Sequence, residues 1–230
     1  MTNQSYDALP AIKSLAFQNI PVAVTGSYKG VLFEEKVAPL RITPASVIFR
    51  APKSQICATL QTPVVLHSQV LSESVRAHIQ YLKDGELCLS NFTYTGLRWR
   101  NRIEQRVEPD APVTATLTVE GKRYRANLLN LSLHGAGLMV FLGDSTASEL
   151  APRARVEVNF RLSEQSEFNV LGNVASVHFL GYSLAQAGLS LQPTPIQESW
   201  LEKYITRRKI EILEELEHRV TEEYRAQQAE

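Results

Sequence analysis

From about Phe17 to Leu191 the apolar residues recur at every second position rather than every third or fourth. Val113, Ala115, Leu117 and Val119 alternate with Thr114, Thr116 and Thr118, and Val156, Val158, Phe160 and Leu162 repeat the pattern. Each such run predicts a half-buried strand. Pro21, Gly30, Pro52, Pro63, Gly85, Pro112, Gly121, Gly143 and Pro152 fall between the runs, which suits an antiparallel barrel or sandwich with frequent turns. From Pro195 the period changes. The remaining residues contain no glycine and no second proline, and Leu201, Ile205, Ile212, Leu216 and Val220 form an apolar stripe. A long helix is expected there, opened by Pro195. Its first half is expected to dock on the β structure. The charged second half is expected either to fray or to pair with another chain as a homodimer, although no strict heptad is kept.

The strand pattern occurs twice. Asn19–Val37 and Asp110–Leu128 share a Pro-Val opening, a strand, a glycine turn nine residues after the proline and a second strand. After a two-residue shift, Leu40–Phe49 lies against Leu129–Leu138, so Asn130, Ser132 and Gly135 fall opposite Arg41, Thr43 and Ser46. The first copy therefore lacks the turn chemistry of the second and reads as a scaffold. The chain divides into a tail (1–16), a first β domain (17–93), a linker (94–109), a second β domain (110–194) and a terminal helix (195–230).

Composition narrows the function. Lys plus Arg equals Asp plus Glu at 24 each, so no global field draws in nucleic acid or an anionic membrane, and any anion site is local. No apolar stretch has transmembrane length, and the first residues lack the regions of a signal peptide, so a cytoplasmic location without membrane insertion is expected. Cys57 and Cys88 have no partner motif and read as inert, buried thiols. The histidines His67, His78, His178 and His218 lack metal-ligand spacing. Neither a nucleophile beside a base nor a glycine-rich phosphate loop can be picked out, so the chain does not read as an enzyme.

The local anion chemistry lies in two places. Arg98, Arg100, Arg102 and Arg106 put four guanidinium groups in nine residues, with only Glu104 against them. Arginine's planar fork grips phosphate or the O6 and N7 edge of guanine and stacks on bases. Downstream, Asn130-Leu131-Ser132-Leu133-His134-Gly135 interrupts an apolar run with an amide, a hydroxyl and a glycine. Taken alone, those residues make a turn in which glycine supplies positive φ. Beside the arginines they add neutral hydrogen bonds that would orient an anionic, guanine-bearing ligand.

Arg102-Ile103-Glu104-Gln105-Arg106 is RxxxR and Asn130 to Gly135 is (D/N)xSxxG; in that order, in a β context, the pair resembles the PilZ domain. The resemblance covers Asn101 to about Gln192, with Gly188 resembling the glycine of the last strand. The layout of β domain, RxxxR linker, PilZ domain and helix is similar to the flagellar-brake class. The resemblance implies a mainly β fold of two antiparallel barrels in tandem, the second six-stranded, and it implies cyclic di-GMP as ligand. Arg102 and Arg106 would grip guanine and phosphate, Asn130 and Ser132 would bond a guanine edge, and Gly135 would leave room for the turn. Arg98, Arg100, Asn101 and His134 are the further candidates for ligand contact, with Asn101 standing where members that take an intercalated dimer have arginine. Trp99 is expected to plug a groove rather than stack on a base.

The function expected is a non-catalytic receptor whose linker orders on binding and reorients the first domain, regulating motility, biofilm or related surface behaviour. The protein partner would be the flagellar motor or biofilm machinery by analogy. The alternative is a structural PilZ adaptor that no longer binds ligand and works through protein contacts. A third reading, nucleic-acid binding through Arg98–Arg102 with Trp99 stacking, is disfavoured by the neutral charge.

Overall fold

The alternating runs form strands β1 (Val22–Tyr28), β2 (Val31–Ile42), β3 (Ser46–Arg50), β4 (Val64–His67), β5 (Val75–Lys83), β6 (Glu86–Tyr94), β7 (Val113–Val119), β8 (Lys122–Ser132), β9 (Gly135–Phe141), β10 (Arg155–Ser163), β11 (Ser166–Phe179) and β12 (Leu184–Gln192). Helices are α1 (Leu9–Phe17), α2 (Pro52–Cys57) and α3 (Pro195–Gln228). The computed structural model describes residues 7–57, 63–95, 104–143, 150–163, 166–181 and 183–228. One compact unit comprises the first six strands with the end of α3 from Ile212, and the other runs Glu104–Glu211.

Each unit holds a closed six-stranded barrel, in the order β1-β2-β3-β6-β5-β4 in the first and β7-β8-β9-β12-β11-β10 in the second. Adding six to each strand number converts one order into the other, so the sequence repeat is a repeat of topology. The opening hairpins turn alike. Lys29 and Gly30 have φ of 47° and 83°, and Glu120 and Gly121 have 49° and 82°, the paired left-handed residues of a two-residue hairpin turn.

In the first unit Val24, Val47, Phe49, Leu66, Leu87 and Leu89 form a fully buried interior. The stretch read as a tail contains α1, whose Ile12, Leu15 and Ala16 join this core. Its start is held by Asp7, whose carboxylate accepts the Leu9 N–H at 2.9 Å. The second half of α3 packs in this unit instead of fraying. Ile212 and Leu216 are buried, and Glu215 accepts hydrogen bonds from the Tyr28 hydroxyl at 2.7 Å and the Lys29 ammonium at 2.6 Å. Lys53 pairs with Glu217, and Arg219 donates to the Tyr28 hydroxyl at 3.1 Å. Burying two such aliphatic side chains contributes about 3–6 kcal/mol against an exposed helix, enough to hold a charged segment down.

Cys88 is buried and Cys57 partly so, and both are free thiols. Burial foremost, with the Glu35 charge adding to it, pushes the Cys57 thiol up to about 12, which leaves it protonated and unreactive.

In the second unit the inward phase of β7 is Val113, Ala115, Leu117 and Val119, and that of β10 includes Val156, Val158 and Phe160, as the alternation predicts. Phe160 stacks on Phe168 with centroids 5.3 Å apart. α3 begins with a reciprocal cap: the Gln197 side chain accepts the Thr194 N–H at 2.9 Å, and the Thr194 hydroxyl accepts the Gln197 N–H at 3.4 Å. Leu201, Tyr204 and Arg208 then face inward. Arg208 donates from Nε to the Glu108 carbonyl at 2.9 Å, and the Tyr204 hydroxyl donates to Asp110 at 3.3 Å. Burial, then the Asp110 charge, raises that hydroxyl's pKa to about 12, so it stays a donor. α3 thus grips residues 108–110, immediately after the arginine motif.

Candidate ligand-binding site

β8 carries the amide and the hydroxyl out of the core through a change of phase. Up to Leu128 its even-numbered residues Tyr124, Ala126 and Leu128 are buried, and the pairing with β9 then shifts between Leu128 and Asn130. Leu129 is the extra residue of a β-bulge, and beyond it Leu131 takes the buried phase. Asn130 and Ser132 consequently share the opposite face, where two polar side chains do not disturb the core.

Across the hairpin Asn130 pairs with Gly137 and Ser132 with Gly135. A Cβ on Gly137 would lie 2.8 Å from Asn130 Nδ2 and 2.9 Å from its Oδ1. One on Gly135 would lie 3.0 Å from Ser132 Oγ and 3.3 Å from the Leu189 carbonyl oxygen. Both glycines exist to let those side chains lie flat across the neighbouring strand. Gly135 is absent from the residues with positive φ, so the turn uses it for space and not for left-handed backbone. Ser132 Oγ donates to the Gly135 carbonyl at 3.3 Å. Asn130 Oδ1 is buried and, among the described residues, has no hydrogen-bond partner. A buried amide oxygen left that way costs about 1–3 kcal/mol, which a ligand donor would recover.

The arginine motif reaches this ledge by backbone pairing. Val107 and Leu131 exchange two hydrogen bonds of 2.9 Å, N–H to carbonyl in each direction, as an isolated antiparallel bridge. Arg106 is therefore beside the hairpin, and one of its terminal nitrogens lies 4.0 Å from the Cβ position of Gly135.

Glu104 also binds the turn. Its carboxylate accepts the His134 backbone N–H at 2.9 Å and contacts the His134 ring Nδ1 at 2.5 Å, while the other ring nitrogen meets Glu198 of α3 at 3.1 Å. Burial raises the Glu104 pKa, but hydrogen bonds from the His134 backbone and ring outweigh it, and the carboxyl ends below its usual range. The hydrogen bonds to Glu104 and then Glu198 raise the His134 pKa against the opposing effect of burial. His134, a further candidate for ligand contact, is partly exposed and bonded at both ring nitrogens.

Of the residues singled out by sequence, Arg106, Asn130, Ser132, Gly135 and His134 converge on the β8–β9 hairpin. Arg102, Arg98, Arg100, Asn101 and Trp99 lie outside the described residues. Gly137 and Glu198 were not foreseen. The alternate glycines of Gly135-Ala136-Gly137 inside a strand were the available signal for Gly137, since they mark close approach by a neighbour. Among the described residues no group of three His, Cys, Asp or Glu side chains is placed to hold a metal.

Residues 100–207 match the family model described as PilZ domain. Among solved structures, the K. pneumonia MrkH–c-di-GMP complex is 12% identical, with 93% of this chain and 98% of that one covered and a TM-score of 0.49. YcgR from Escherichia coli in complex with c-di-GMP is 15% identical, with coverage of 92% and 93% and a TM-score of 0.46. The Bacillus subtilis inhibitor of motility is 16% identical, with coverage of 84% and 97% and a TM-score of 0.42. A comparison with the curated proteins finds no match.

Proposed function

On the premise that residues 100–207 are a PilZ domain, we propose that this chain is a cyclic di-GMP receptor whose site is the β8–β9 hairpin together with the arginine segment before β7. The observation that carries the reading is the unpartnered Asn130 Oδ1 on a ledge beside Arg106. An amide oxygen accepts from the N–H edge of guanine, and a guanidinium serves either the O6 and N7 edge or a phosphate. Ser132 supplies a hydroxyl, Gly135 and Gly137 supply clearance, and Arg102 supplies the second guanidinium of the motif. Arg98, Arg100 and Asn101 are further contacts within the same segment.

The proposed output is a rearrangement of the first barrel when the segment between the units takes up ligand, read by a protein partner that governs motility, biofilm or related surface behaviour. Titration calorimetry with cyclic di-GMP tests the receptor reading. Wild-type protein is expected to saturate, and Arg106→Ala, which loses one charged hydrogen-bonding contact, is expected to bind at least about tenfold more weakly. Equal affinity in the two proteins, or no binding in either, removes the reading.

A further inference from the structure

We propose that Glu104 sets the receptor's affinity by occupying part of the ligand ledge with the chain's own carboxylate, so that cyclic di-GMP binds in competition with it. The inference rests on the receptor reading above and concerns the regulation of the same site.

Glu104 stands in the middle of the RxxxR motif, among groups whose business is to attract an anion. Its side chain is 33% exposed, with the carboxylate held by the turn. It takes the backbone N–H of His134 at 2.9 Å and meets the ring of His134. Those are donors of the (D/N)xSxxG turn, on the side of the hairpin that Arg106 approaches. A backbone N–H and an imidazole ring around one carboxylate form an anion site, and the anion is already present.

The second carboxylate strengthens the arrangement. Glu198, in the first turn of α3, holds the far nitrogen of the same ring at 3.1 Å, so His134 is fixed between two anions. The groups facing His134 are Glu104 from the arginine segment and Glu198 from α3, while β12 contributes a backbone contact, the Leu191 N–H to the His134 carbonyl at 2.9 Å. With His134 charged, the three side chains sum to one negative charge at the rim of a site for a dianion. A ligand phosphate arriving there meets that charge and must either displace Glu104 from the turn or bind beside it. Both lower the affinity relative to a ledge whose donors are free.

Glu104→Gln keeps the shape of the side chain, and its amide oxygen still accepts the His134 N–H, but the charge is gone. Glu104→Ala removes both. The full chain is titrated calorimetrically with cyclic di-GMP in wild-type, Glu104→Gln and Glu104→Ala forms, with circular dichroism confirming that each is folded. Both variants are expected to bind at least about fivefold more tightly than wild type, with the difference shrinking as salt is raised. Equal or weaker binding by the variants, with wild type binding well, overturns this inference and leaves the receptor reading in place. Absence of binding in all three overturns both.

Discussion

At the residue scale the site depends on clearance as much as on hydrogen-bonding groups. Asn130 lies across Gly137 because nothing projects from that position of β9, and a methyl there would meet both atoms of the amide head inside 3 Å. Gly137→Ala is therefore expected to leave the barrel folded, since the displaced atoms end a short side chain, while cyclic di-GMP affinity falls about tenfold as the amide is pushed from its place. Affinity by calorimetry and midpoint by thermal melt separate the two effects. His134 offers an independent check. Its pKa is raised by Glu104 and Glu198, so its contribution to stability is complete below the ordinary value of about 6.5 and is lost as pH rises through the higher folded value. Glu104 is depressed, so its contribution is present above the ordinary carboxylate range and is lost as pH falls through the lowered folded value. The clasp is strongest between those limits. Proton NMR of the His134 ring is expected to give a pKa above 6.5 in wild type and a lower one in Glu104→Gln. An unchanged value would mean that the pair does not form in solution.

At the element scale α3 serves the site by holding its neighbours. Arg208 is 7% exposed and spends Nε on the carbonyl of Glu108, two residues after Arg106. Arg207, one residue earlier, is largely exposed and reaches Asp110 and Glu211 through water-accessible pairs. The Arg208→Ala change removes a buried charged hydrogen bond and the packing of its stem, and denaturant unfolding should show a loss of about 2 kcal/mol. Arg207→Ala should lose under about 1 kcal/mol, because exposed ion pairs contribute little. The helix itself was legible from Pro195 onward, yet the fate of its second half was not. A stripe ending in Leu216 and Val220 states that something covers it without stating what, and the polar partners that fix this half, Tyr28 and Lys29 on Glu215, lie far away in sequence. α1 escaped notice for a related reason. Leu9, Ile12, Leu15 and Ala16 do keep helical spacing, but the segment is short and precedes a long stretch of period two.

At the scale of the whole molecule the two barrels are one topology used twice, and the difference between them locates the function. The equivalent hairpins carry the same bulge, between Pro39 and Arg41 in the first barrel and between Leu128 and Asn130 in the second. In the first, Thr43 and Ser46 bond each other through their hydroxyls at 2.7 Å and Arg41 pairs with Glu86 at 3.1 Å, so the turn is closed on itself. In the second the corresponding positions are Ser132, Gly135 and Asn130, and the amide oxygen is left open. That contrast was readable in the sequence, because period-two strands and glycine turns repeat at nearly fixed spacing. The clasp of Glu104, His134 and Glu198 was not readable, since residues 30 and 64 positions apart meet only after the barrel closes and α3 docks.

The first barrel is a built-in control for ligand binding at the second. Backbone amide resonances of the full chain, followed by NMR during addition of cyclic di-GMP, report on both hairpins at once. Saturable shifts are expected at Asn130 to Gly137 and at Arg106 and Val107, with Arg41 to Val47 of the first barrel unmoved. Shifts centred on the first hairpin, or no shifts in either at millimolar ligand, would rule out the β8–β9 hairpin as the ligand site.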